Sequence, residues 1–84
     1  MKLKDTVNGM LSDDYKERFI AEYQQLDIRI NKLLNTIHDY KKSKYLRKSK
    51  SDRLLLLKQC ELMMSYRDVL KARAKIEGIE LMEE

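Results

Sequence analysis

Phe19, Tyr23, Leu26, Ile30, Leu33, Ile37 and Tyr40 stand 4, 3, 4, 3, 4 and 3 residues apart. Apolar residues at that alternation fall on one seam of an α-helix, and here the seam is held for three heptads. Proline is absent and glycine occurs only at Gly9 and Gly78, so nothing interrupts a helix over residues 13–41. Such a helix is about 40 Å long at about 1.5 Å per residue. Leucine, lysine and glutamate are frequent while valine and threonine are scarce, which favours helix over strand.

A second helix is predicted over residues 52–77, with Ser51-Asp52 at its start. Leu55/Leu56, Leu62/Met63, Val69/Leu70 and Ile76 recur at helical spacing, with Cys60, Tyr66 and Ala74 between them. Lys71, Arg73 and Lys75 suit the negative end of the helix dipole, and Gly78 suits the left-handed residue just past it. Ile79 and Leu81 in the tail, residues 78–84, are placed to fold back. At the front, residues 2–10 read as a short helix with Leu3, Val7 and Met10 on one face and Asn8-Gly9 ending it. Ser12 reads as the N-cap of the first long helix, with Asp13 and Asp14 where negative charge is favoured.

Two long helices and a short connection, residues 42–51, give one all-α domain over residues 1–84: an antiparallel helical hairpin with a short N-terminal helix. A turn centred near residue 46 sets Ile30 against Leu62, Ile37 against Leu55, Tyr23 against Val69 and Leu26 against Tyr66. Ile28, Leu54, Leu57 and Met64 then remain outside the seam. So wide an apolar arc on a two-helix unit with a thin core predicts a homo-oligomer, with those four residues at its interface.

The formal charge of +4 is concentrated in one place. Lys41, Lys42, Lys44, Arg47, Lys48 and Lys50 are six of the 18 basic residues, and the 12 left over face 14 acidic ones. With Tyr45 among them, these residues either form a solvated hairpin apex or make an anion-binding patch, where cations and an aromatic face take phosphates and bases. At the opposite end, Tyr15 and Arg18 approach Arg73 and Glu77. Arg18 with Glu22 and Arg73 with Glu77 read as ordinary i,i+4 pairs. If subunits meet there, Tyr15, Arg18, Arg67 and Arg73 frame a ligand-binding pocket for an anion, since arginine grips phosphate at two points and tyrosine offers a stacking face.

Chemistry-bearing patterns are otherwise few. His38 is the single histidine and Cys60 the single cysteine, so no zinc or iron ligand set exists. His38 reads as a surface residue and Cys60 as core packing. No glycine-rich phosphate loop or nucleophile elbow occurs. A non-enzymatic protein without metal or cofactor is expected. The longest wholly apolar run is Leu54 to Leu57, which suits neither a signal peptide nor a membrane span, and a lone cysteine suits a reducing compartment. A cytoplasmic protein is expected.

Several blocks of the chain look familiar. A Tyr-Lys-Glu-Arg start (Tyr15 to Arg18) leads into Glu-Tyr-x-x-Leu-x-x-Arg-x-x-Lys-Leu (Glu22 to Leu33). Tyr-x-x-x-Leu-x-x-Arg (Tyr66 to Arg73) and Ile-Glu-Gly-Ile-Glu-Leu (Ile76 to Leu81) close the chain. In these blocks it resembles a family of small bacteriophage and prophage proteins known by relation to a protein of a crAss-like phage. The likeness covers about fifty residues in two stretches and departs at the lysine-rich turn. It implies a phage protein at work in the host cell cytoplasm, where short non-enzymatic phage proteins often disarm defences. Oligomeric helical hairpins that sequester cyclic nucleotide signals are one such type.

Three functions follow as expectations. The first is a counter-defence protein that sequesters an anionic cyclic nucleotide immune signal in pockets between subunits. The second is inhibition of a host defence protein through an exposed helical face. The third is nucleic-acid binding through the lysine-rich turn.

Overall fold

The computed structural model describes residues 1–39 and 53–81. The expected fold class holds: an antiparallel helical hairpin with a short helix at its N-terminus, and no strand among the described residues. A 3₁₀ turn, Leu3–Thr6, runs into α1 (Val7–Met10). The two long helices are α2 (Tyr15–His38) and α3 (Arg53–Glu77). The lysine-rich patch, Lys41, Lys42, Lys44, Tyr45, Arg47, Lys48 and Lys50, lies outside the described residues.

The N-terminal segment packs on α2, but not through the face its apolar residues suggest. Val7 and Met10 are exposed, and the buried residue is Thr6, whose hydroxyl donates to the Leu3 carbonyl at 2.7 Å. That bond satisfies the hydroxyl and lets a polar residue sit inside. Gly9 does not end α1. It lies so near α2 that a Cβ there would stand 2.8 Å from that of Ala21, and this close approach is the glycine's role.

The cap of α2 is Asp14, two residues beyond Ser12. Its carboxylate accepts from the Lys16 amide at 2.8 Å and satisfies one of the helix's four unpaired donors. Ser12 serves the same turn from outside: its hydroxyl accepts from the Asp14 amide at 3.0 Å and donates to Glu17. Along α2 the predicted seam is buried at Phe19, Tyr23, Leu26, Ile30 and Ile37.

In α3 the helix is turned by about one residue from the expected orientation. Leu56, Cys60, Leu70 and Ala74 are buried, with Met63 packed against them and Arg67 half-buried. These six follow spacings of 4, 3, 4, 3 and 4, a heptad seam of their own. Leu55, Leu62, Tyr66 and Val69, expected to face α2, are exposed, and Ile76 is 85% exposed. Arg67 occupies the inward seam because Asp27 of α2 accepts its Nη1 at 2.8 Å, giving the guanidinium a counter-charge between the helices.

The same rotation sets how far the expected oligomer contacts stand out from the single chain. Leu57 and Met64 pack against the chain's own core, and Ile28 is half-buried. Of the four residues set aside for a second subunit, only Leu54 stands well exposed. At the far end Gly78 takes a left-handed φ of 69°, and the Ile79 amide donates to the Ala74 carbonyl at 2.9 Å. This left-handed closure turns the chain so that Ile79 is buried and Leu81 packs beside the core.

Candidate functional site

Antiparallel pairing brings the first turn of α2 beside the last turns of α3. The Tyr15 hydroxyl donates to Glu77 Oε1 at 2.8 Å and accepts from Arg73 Nη2 at 2.8 Å. Arg73 Nε donates to Glu77 Oε2 at 3.2 Å, closing a three-residue ring of hydrogen bonds. Arg73 also places its guanidinium carbon 5.0 Å from the centre of the Phe19 ring, a cation–π contact over the end of the core. The Tyr15 and Phe19 rings lie 6.2 Å apart at 56°. Tyr15 and Arg73 thus hold each other, with Glu77 as their common acceptor.

The four expected ligand-binding residues do not all converge. Arg18, one turn along α2 from Tyr15, donates through Nη1 to the Ser12 carbonyl at 2.8 Å, leaving its other nitrogens open. Arg67 lies on the inward seam of α3, tied to Asp27, with its Nε buried and unpaired among the described residues. It serves the helix pair and not the Tyr15 end. The partners missed by sequence reasoning are Asp27 and Phe19. Asp27 carries no local signal, because its partner stands on the other helix, 40 positions away.

Hydrogen bonding to Glu77 chiefly holds the Tyr15 phenol above the ordinary tyrosine value. Desolvation and the Glu77 charge act with it, and Arg73 acts against. For Arg73, desolvation pulls downward, but Tyr15 and Glu77 together outweigh it and the net shift is upward. The folded state favours the protonated phenol. Its contribution to stability is complete below the unfolded tyrosine pKa, near 10, and is lost as pH rises through the folded value. The difference in tyrosinate absorbance between the wild type and Tyr15→Phe should therefore titrate later than free tyrosine amide. A midpoint at or below that of the free amide contradicts this hydrogen-bonded phenol.

The two long helices and their connection are also what known sequences share with this chain. The family model for Sequestin matches residues 13–76. The chain belongs to the Sequestin family. No curated protein and no solved structure matches it. The Sequestin match takes in Tyr15, Arg18, Arg67 and Arg73, and ends one residue before Glu77. Among the described residues of this Sequestin chain no group of acids, histidine and cysteine is placed to hold a metal. Cys60 is buried and His38 is exposed in the last turn of α2. No described helix is long and apolar enough to cross a membrane.

Proposed function

We propose that this chain is a non-enzymatic counter-defence protein of phage or prophage origin that works in the host cytoplasm. It sequesters an anionic, cyclic nucleotide signal in pockets shared between copies of itself. The family name supports sequestration, and the resemblance of Tyr15 to Leu33 and Tyr66 to Leu81 supports a phage source.

One observation carries the shared pocket. Leu62, Tyr66, Val69, Arg73 and Ile76 follow spacings of 4, 3, 4 and 3, so Arg73 stands in line with the exposed apolar stripe of α3. From Leu62 to Ile76 the stripe runs about 21 Å at 1.5 Å per residue. An apolar seam at heptad spacing, on a long helix, is complementary to a second copy of itself. Pairing through it draws Arg73 and Tyr15 to the edge of the junction. Arg73 keeps Nη1 and Arg18 keeps two nitrogens for phosphate oxygens, and Tyr15 offers a ring face to a base.

Calorimetry with cyclic di- and trinucleotides tests this reading. Saturable binding is expected, weakened at least tenfold by Arg73→Gln, the order lost with one charge-assisted contact. No heat from any of these ligands, with the protein folded, overturns it.

A further inference from the structure

Arg29 stands 14 residues beyond Tyr15 on α2, about 21 Å away at 1.5 Å per residue. There a groove of about 310 Å³ opens where the N-terminal segment meets both long helices. That volume lies at the lower end of the range for small-molecule sites. Leu33, Leu56 and Met63 form an apolar floor, and Leu3, held by the Thr6 hydrogen bond to its carbonyl, closes one side. Arg29, Lys32 and Gln59 are exposed around it.

The charge of this groove is unbalanced. No acidic side chain lines it, and no acid stands three or four positions from Arg29 or Lys32 on α2. Neither cation makes an ion pair among the described residues. Set three positions apart on one helix, the two repel each other. This differs from the Tyr15 end, where Glu77 already meets Arg73. A dianionic phosphate between Arg29 and Lys32 would relieve the repulsion and gain two charge-assisted contacts.

We infer that the groove binds a small organic phosphate carrying a ring with a hydrogen-bonding edge: a mononucleotide, or one half of a larger nucleotide. The floor takes the faces of the ring. The Gln59 amide sets a donor beside an acceptor, the arrangement that matches a nucleobase edge. Thr36, also at the groove, donates its hydroxyl proton to the Lys32 carbonyl at 2.9 Å, and so faces a ligand as an acceptor. An alkyl phosphate would fill the floor and leave Gln59 and Thr36 unused. The ligand class rests on the sequestering reading; the site, well removed from Tyr15 and Arg73, does not.

Titration of isotopically labelled protein by NMR with AMP, ribose 5-phosphate and hexyl phosphate separates these chemistries. AMP should perturb Arg29, Lys32, Leu33 and Gln59 saturably and bind at least tenfold tighter than either of the other two. Arg29→Gln and Lys32→Gln, both at exposed positions, should each weaken AMP about tenfold. Gln59→Leu should weaken AMP and spare hexyl phosphate. Equal affinity for AMP and ribose 5-phosphate, or for AMP and hexyl phosphate, overturns the inference, as does indifference to Arg29→Gln and Lys32→Gln. A cyclic dinucleotide that binds through Arg73, while AMP leaves the groove unperturbed, removes this site and keeps the sequestering reading. AMP in the groove with no heat from cyclic nucleotides does the reverse.

Discussion

Ile30→Ala should abolish the cooperative unfolding transition of this protein, or move it to very low denaturant. Ile30 is 0% exposed, at the middle of the α2 seam, and the Asp27–Arg67 pair sets it level with Met63, which packs against the same core. Truncating a buried isoleucine to alanine costs roughly 2–5 kcal/mol, because the apolar transfer energy is lost and the space left behind is only partly refilled. A core of this size supplies about 3–5 kcal/mol in net stability, so one substitution consumes most of it. The site cannot relax easily, since it lies between two rods whose spacing is set by neighbouring layers at Leu26 and Cys60. Urea titration followed by circular dichroism, at one fixed protein concentration, reads the effect. Leu54→Ala at an exposed position of α3 is the control and should stay within about 0.5 kcal/mol of wild type. An Ile30→Ala transition at the wild-type midpoint would show that the helix pair is not what holds the chain together.

How much of this was legible in the sequence depends on what each signal was made of. The α2 seam reads directly because every position in it is apolar and the flanking residues are polar. On α3 two heptad seams lie side by side. The one that faces outward has large aliphatic side chains at Leu55, Leu62, Val69 and Ile76, with Tyr66 and Arg73 between them. The one that faces inward joins Leu56, Met63 and Leu70 to Cys60, Arg67 and Ala74, so apolarity alone does not separate the two. What decides between them is Asp27, which gives Arg67 a partner across the hairpin. Small Ala74 and Cys60 also let the helices approach where larger residues would hold them apart. Neither reason is local in sequence. The same limit explains Gly9, whose close approach to Ala21 is set by the neighbouring helix, while Val7 and Met10 turn outward.

The Tyr15 end was legible in part. Antiparallel register alone brings Tyr15 to Arg73 and Glu77, and the structure joins all three by hydrogen bonds. The inward placement of Arg67 has no local signal, because its counter-ion Asp27 stands on the other helix. The groove beside Arg29 has no sequence signature, because its walls come from three separate segments.

In the proposed assembly of copies along the α3 stripe, Leu62→Glu combined with Val69→Glu should release a single 10.1 kDa chain while leaving its helix content unchanged. The two side chains are 60% and 56% exposed, so in the isolated chain the new carboxylates remain hydrated and the α2–α3 core is untouched. In a pair of chains joined along this stripe, four carboxylates would enter the junction without counter-charges. Each costs several kcal/mol to desolvate, well above what an apolar strip of this length returns. Leu57→Glu with Met64→Glu should behave differently. Those side chains pack against the core, so the charges should unfold the monomer as well as separate it. Sedimentation equilibrium paired with circular dichroism distinguishes the two behaviours. Dissociation should also remove the calorimetric response to cyclic nucleotides, because Arg73 lies on the same stripe and the proposed pocket takes its two halves from two chains. Wild-type protein that sediments as one chain at several hundred micromolar would leave that stripe without its expected occupant, and a pocket between subunits could not form.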